Sequence, residues 1–149
     1  MISPNAVADF FLSVAKEHGD FLSHLKLQKI VYYADAWYLV NNEEPLINED
    51  FEAWVHGPVV RSLYNRFKEY RWKPITEDVE SPQLSDKERE HLIEIYDVFG
   101  SYRAFELEQM THDEDPWLEA RGGIAPDQPC ENVINKETMR SFYTSVSDS

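Results

Sequence analysis

The sequence predicts one mainly α-helical domain of six to seven helices, with a small two-stranded β-ribbon near residues 45–56. Three observations predict it. The chain has 149 residues of which 42% are hydrophobic, enough for a single core. Apolar residues recur at helical spacing behind capping residues, and only one short stretch alternates as a strand does. We expect the domain to span 1–143, with 144–149 as a frayed tail.

Two helices are predicted at the N-terminus. Ser3 precedes Pro4, so a capping hydroxyl and a first-turn proline begin a helix over 4–17. Ser23 is a plausible cap for a second helix that extends to about Val40. The apolar stripes consist of Val7, Phe10, Phe11 and Val14 in the first helix, and of Leu27, Ile30, Val31, Ala34 and Trp37 or Tyr38 in the second.

The next segment changes its period. Side chains alternate over 51–56, which indicates a strand, and 45–47 could supply an antiparallel partner through a turn at 48–50. Gly57 should end the strand, and Pro58 should open a third helix.

The second half reads as a loop over 71–84 followed by further helices. The segment Ser85–Glu88 has the pattern of a capping box. Ser101, Asp115 and Asn135 are the predicted caps of the helices that follow, and 124–134 is a predicted loop.

Composition restricts the class of protein. Cys130 is the only cysteine, which excludes an intrachain disulfide and a four-thiolate metal site. No apolar stretch is long enough to span a membrane, and the N-terminus lacks a basic leader region. We therefore expect a cytoplasmic protein.

Charge disfavours direct binding to nucleic acid. The net charge is −14, whereas affinity for phosphate backbones comes from Lys and Arg. A short basic run nevertheless occupies 61–73. It is either a solvated face that pairs with the acidic C-terminal half or a face for an acidic partner. Its cations are Arg61, Arg66, Lys68, Arg71 and Lys73.

Two segments carry the residues best suited to chemistry. Thr111–Asp115 offers an imidazole and three carboxylates, but adjacent residues rarely converge on one metal ion. The favoured interpretation is a helix-ending turn in which Thr111 and Asp113 or Asp115 satisfy backbone amides. His56 precedes Gly57-Pro58 and is either a partner site or a structural junction. No metal or cofactor site is predicted.

A third segment, Lys26–Tyr38, is rich in aromatic residues. Four aromatic side chains in one helix exceed what one buried stripe needs. Core packing explains most of them, and the remainder must cover another element or contact a partner.

At these segments the sequence resembles the SocA/Panacea antitoxin family, which includes GepA-type phage-associated proteins. The matching segments are Lys26–Tyr33, Phe51–Val60 with Tyr64, Met110–Asp113 with Pro116-Trp117, and a closing helix from Ile134 to Tyr143. They occur in the expected order over nearly the whole chain.

The resemblance implies an antitoxin of a toxin–antitoxin or prophage module that binds its toxin directly. Delivery of the bound toxin to a Clp-type protease is one alternative. A metal-dependent hydrolase that uses His56, His112 and Asp113 is another, although the interpretation here is a non-enzymatic protein. The oligomeric state stays open, a homo-oligomer included. The candidates for partner binding are Lys29, Tyr33, Trp54, His56, Arg61, His112, Asp113 and Trp117.

Overall fold

A computed structural model describes residues 1–148 and confirms the mainly α-helical fold. A short 3-10 turn, Lys68–Tyr70, follows the third helix, and one antiparallel ribbon consists of β1 (Glu52–Trp54) and β2 (Gly57–Val59). Among these residues no helix has the length and apolarity that crossing a bilayer requires. The helices are α1 Pro4–Glu17, α2 His24–Asn42, α3 Arg61–Phe67, α4 Asp86–Phe99, α5 Ala104–His112, α6 Asp115–Arg121 and α7 Lys136–Ser147.

Helix α2 is the centre of the fold. It contacts α1, α3, α4, α5, α7 and β2, so it is buried on nearly every side instead of along one stripe. Its aromatic residues belong mainly to the core: Tyr32, Tyr33 and Tyr38 are buried, and Trp37 is half-buried against Tyr143. A helix surrounded in this way must also bury the polar residues on its other faces. Those are His24, Gln28, Lys29 and Asp35.

Several predicted helix caps are confirmed. The hydroxyls of Ser3 and Ser23 accept hydrogen bonds from backbone amides three residues ahead, at 3.1 and 3.2 Å. Ser85 and Glu88 form the reciprocal capping box, and the Asn135 side chain accepts from two amides of α7. Each bond satisfies donors that the first helical turn leaves free.

The partner strand of the ribbon was predicted incorrectly. Residues 52–54 pair with 57–59, not with 45–47, through a tight turn at 55–56. Gly57 makes this turn possible because its φ of 115° is rarely adopted by residues with a Cβ. The segment expected to pair instead makes a parallel bridge between Ile47 and Ile2.

The expected helix start at Pro58 is also wrong, because Pro58 lies in β2 and α3 begins at Arg61. The side chain of Gln28 explains why α3 begins later than expected. Its side-chain oxygen accepts from the Val60 amide at 3.0 Å, and its amide donates to the Val60 carbonyl at 3.3 Å. Both backbone groups of Val60 are thus held in an extended conformation by α2, which delays the helix.

Three other boundaries differ. The cap of α5 is Arg103 and not Ser101; its amide donates to the Glu106 carboxylate at 2.8 Å. The cap of α6 is Glu114, and Asp115 is the first helical residue. Helix α7 runs to Ser147, past the predicted boundary at 143, and Ser149 of the predicted tail lies outside the described residues.

Asp35 connects three parts of the chain in the interior. One carboxylate oxygen accepts from the amides of Leu46 and Ile47, at 2.9 and 3.0 Å. The other oxygen receives the Lys136 ammonium group at 2.9 Å, and the same group donates to the Ile47 carbonyl. Since the Asp35 side chain is fully buried, these bonds replace its hydration and fix the 46–47 segment and α7 on α2.

Replacing Asp35 with alanine should lower the free energy of unfolding by about 3 kcal/mol, because two buried amides and a lysine lose their acceptor. Asp35→Asn, which keeps an oxygen for the amides, should cost less. Urea unfolding measures both. The exposed Asp50 supplies the control, and Asp50→Ala should change stability by no more than about 0.5 kcal/mol. Equal losses in Asp35→Ala and Asp50→Ala would contradict this role.

Candidate partner-binding site

The β-ribbon packs on the end of α5 and the start of α6, and we call this contact the ribbon junction. It brings together four of the predicted site residues: Lys29 from α2, His56 from the ribbon turn, and His112 and Trp117 from the two helices. Trp54 joins them through its backbone, because its carbonyl accepts the Trp117 indole N–H at 2.8 Å. The structure thus unites segments that are more than fifty residues apart in sequence.

Lys29 lies beneath the ribbon turn and is 1% exposed. A Cβ placed on Gly57 would lie 3.4 Å from Lys29 Cε and 3.1 Å from the Thr111 hydroxyl, so the turn approaches these side chains closely. The lysine makes a long hydrogen bond, 3.5 Å to the Leu25 carbonyl. Burial lowers the pKa of Lys29 from 10.5 to about 7, although the nearby Glu108 opposes the shift.

The two histidines of the junction have different surroundings. His56 is 70% exposed at its side chain and its Nδ1 lies 2.9 Å from a Glu108 carboxylate oxygen. His112 stacks on Trp117, with ring centroids 4.1 Å apart. Burial lowers the pKa of His112, against the opposing effects of Glu108 and the Val55 backbone. Burial is the larger of these effects and favours the neutral ring.

The Thr111–Asp115 segment does end a helix, but not through the predicted side-chain caps. The Thr111 hydroxyl donates to the Glu108 carbonyl at 3.0 Å, and Asp113 is an exposed C-terminal residue of the turn. Within residues 1–148 no group of three or more His, Cys, Asp or Glu side chains could hold a metal ion. The set His56, His112 and Asp113 is therefore not assembled into such a group.

Tyr33 belongs to a separate buried cluster. Its hydroxyl and that of Tyr143 both donate to one oxygen of Glu114, at 2.7 and 2.8 Å, and its ring stacks on Phe99 at 4.5 Å. Burial raises the pKa of Glu114, and the two tyrosine hydrogen bonds oppose that shift. Glu114 is one of the three carboxylates of the Thr111–Asp115 segment and is half-buried. Its pairing with two tyrosines is not visible in the sequence, since only the fold brings them to it.

Arg61 lies on the outer side of the ribbon. It makes ion pairs with Glu52 and Glu131, at 2.9 and 3.0 Å, and its guanidinium lies 5.5 Å from the centroid of the Trp54 ring. The Trp54 indole in turn packs on Tyr64, with centroids 4.8 Å apart. Arg61 therefore holds the loop that contains Glu131 beside the ribbon.

Arg121, a residue that the sequence did not identify as a candidate, holds the loop that contains Glu131 from its buried side. It is 2% exposed and donates to the carbonyls of Ala53 and Ala125, at 2.8 and 2.6 Å, and to that of Gln128. Its guanidinium also lies 4.6 Å from the Trp117 ring centroid. No pattern in the sequence distinguishes this arginine from an exposed one, because its acceptors are backbone carbonyls.

Between the ribbon, α3 and this loop lies an open groove of about 630 Å³, which we call the Trp54–Trp72 groove. Its volume is within the range of about 300 to 1,000 Å³ typical of ligand sites. One wall is the outer face of the ribbon and another is the loop around Cys130. The lining residues are His24, Leu25, Gln28, Trp54, Val55, His56, Val59, Tyr64, Lys68, Arg71, Trp72, Pro129, Cys130 and Glu131.

Comparison with known protein families matches residues 27–118 to the family described as Antitoxin SocA-like, Panacea domain. The chain belongs to this family. The match includes the ribbon, α5 and the start of α6, so it covers the whole ribbon junction. This confirms the resemblance noted in the sequence.

A curated relative is the protein named Antitoxin SocA from Caulobacter vibrioides (strain NA1000 / CB15N), which is 39% identical over 66 residues. The alignment covers 44% of this chain and 35% of the relative, so the chain spans about a third of the length of that protein. No solved structure matches the chain significantly.

Replacing Gly57 with alanine tests how closely the ribbon turn approaches α2 and α5. The added Cβ meets both a positive φ and the Thr111 and Lys29 side chains, so we expect a loss of about 2 to 3 kcal/mol. Gly123→Ala is the matched control, because Gly123 also has a positive φ but has no atom within 4 Å of the added Cβ. Chemical denaturation should show the smaller loss, about 1 kcal/mol, for the control. Equal losses of stability in the two variants would mean that the close approach of Gly57 to Lys29 and Thr111 contributes nothing to the cost.

The lowered pKa of Lys29 predicts a specific dependence of stability on pH. Between about pH 7 and the ordinary value of 10.5, the unfolded chain binds a proton at this position that the folded chain does not. Stability should therefore rise with pH across this range. Lys29→Met, which conserves the volume, should remove this part of the rise. Tyrosine ionisation adds an opposing effect only near and above its ordinary pKa of 10.0, so unfolding is measured between about pH 7 and pH 9.5. Parallel curves for the two proteins would show that Lys29 stays protonated when buried.

Proposed function

We propose that this domain is an antitoxin that neutralises a cognate protein toxin by direct binding. The observation that supports the proposal is the family match over 27–118. It covers the ribbon junction and all of α3, so the family region contains most of the surface around the Trp54–Trp72 groove.

The distribution of the candidate residues indicates how binding would work. Lys29, Tyr33 and Trp117 are buried, so in this conformation they support the surface and do not reach a partner. Trp54 is half-buried, and His56, Arg61 and Asp113 are exposed. The proposed contact surface is the outer side of the ribbon with Trp54 and Arg61, which the buried residues hold in place. Asp113 lies at the end of α5 and outside this surface.

The test is co-expression with the product of the gene next to the one that encodes this chain. We expect that product to be toxic alone, the chain to restore growth, and the two proteins to co-purify. An unrelated toxin is the control and should not be neutralised. Failure to restore growth together with failure to co-purify would contradict the proposal.

The same experiment separates a simple blocker from an adaptor for a Clp-type protease. A blocker leaves the toxin at its normal level in a stable complex. An adaptor lowers the toxin level, and growth is then restored only in a strain that contains the unfoldase. We propose the blocker, because the family match is to an antitoxin domain and direct binding alone is sufficient to neutralise a toxin.

A further inference from the structure

The Trp54–Trp72 groove has two cations that lack carboxylate partners. Arg61 and Arg66, in the same basic run, each make ion pairs with two carboxylates. Lys68 and Arg71 line the groove and are exposed, yet neither makes an ion pair within the part of the chain that the structure describes. Glu131, the acidic residue among those that line the groove, is already paired with Arg61. In a protein with 28 acidic and only 14 basic residues, Lys68 and Arg71 are thus cations of the groove that can pair with carboxylates of a partner.

The groove also has an aromatic surface. Trp72 is 77% exposed and follows Arg71 in sequence, and the packed Trp54 and Tyr64 rings also line the groove. A large exposed tryptophan in a folded monomer carries a cost in apolar exposure that partner binding would remove. Trp, Tyr and Arg are also the residues that most often dominate binding energy at interfaces.

Arg71 is held in an unusual backbone conformation, with φ 55° and ψ −116°. This region is costly for a residue with a Cβ, and such strain often marks functional positions. A glycine at this position would satisfy the backbone but would not supply the charge. The chain instead has an arginine there, next to Trp72 and at the mouth of the groove.

From these observations we infer that the groove binds an acidic segment of the partner that also carries apolar side chains. The apolar side chains pack on Trp54, Tyr64 and Trp72, and the carboxylates pair with Lys68 and Arg71. This inference rests on the proposed function for the identity of the partner as a toxin, but the chemistry of the segment follows from the groove. Nucleic acid fits less well, because two cations neutralise few phosphates in a chain of net charge −14.

Binding is tested first with a fluorescein-labelled synthetic peptide in which Asp and Glu alternate with Leu and Phe. A peptide with Lys in place of the acidic residues and a labelled oligothymidylate are the comparison probes. We expect only the acidic peptide to bind, and its affinity to fall with salt. The inference is overturned if the acidic peptide does not bind, if the lysine peptide binds equally well, or if the oligothymidylate binds more tightly.

Two groove variants identify the residues responsible. Trp72→Ala and the double variant Lys68→Glu/Arg71→Glu should each weaken binding by at least about tenfold. The matched controls are Phe105→Ala, which removes an aromatic ring of similar exposure (66%), and Lys87→Glu/Arg103→Glu, which changes the net charge equally outside the groove. Equal weakening in the controls would overturn the inference.

Arg71→Gly separates binding from folding. It removes the backbone strain, so the unfolding midpoint should stay level or rise while peptide affinity falls. Unchanged affinity in this variant would show that Arg71 does not bind the segment. A second copy of the chain could also occupy the groove, and sedimentation of wild type and Trp72→Ala tests this. A wild-type dimer that Trp72→Ala converts to monomer would overturn the inference.

The groove and the proposed function fail in different ways. If the wild-type chain neutralises its toxin and the groove variants do so equally well, the groove inference is wrong and the antitoxin proposal stands. If the wild-type chain does not neutralise the toxin, the antitoxin proposal fails and the peptide measurement still decides the chemistry of the groove.

Discussion

The buried carboxylate of Asp35 is the constraint on which the rest of the fold depends. It accepts both amides of the 46–47 segment and binds the Lys136 ammonium group of α7. Through Asp35, helix α2 therefore holds both the segment that precedes the ribbon and the last helix, α7. Gln28 holds the segment that follows the ribbon, because its side chain hydrogen-bonds to both the amide and the carbonyl of Val60. A buried polar side chain that satisfies backbone groups specifies one arrangement in a way that apolar contacts alone do not.

The same organisation positions the ribbon junction and the groove. With both ends of the ribbon fixed on α2, the turn at 55–56 packs over Lys29 and against α5 and α6. Arg121 then ties the 125–128 segment to the ribbon. The walls of the groove are thus set by interior bonds, while Trp72, Lys68 and Arg71 stay at the surface. Walls that interior hydrogen bonds already hold in place suit binding, since they need little further ordering when a partner binds.

Local signals in the sequence were sufficient for most helices and insufficient for the ribbon. Caps such as Ser3, Ser85 and Asn135 act over three residues, so they can be identified without the fold. The pairing of β1 depends on Gln28 and Asp35, which lie at least ten residues away in another element, and so the partner strand and the start of α3 were misplaced. The site shows the same division. Sequence patterns make His56 and His112 candidates and the family resemblance adds Trp117, whereas the contacts of Glu114, Arg121 and Trp72 follow only from what the fold places beside them.

We propose that this domain binds its partner at the outer side of the ribbon, across the Trp54–Trp72 groove. Hydrogen–deuterium exchange of the chain alone and in complex with its proposed toxin tests this most directly, because exchange reports burial of each segment without any substitution. We expect new protection over 54–72 and 128–131, with α4 and α7 unchanged. Protection confined to the acidic surfaces of α4 and α7, with none at the groove, would contradict it.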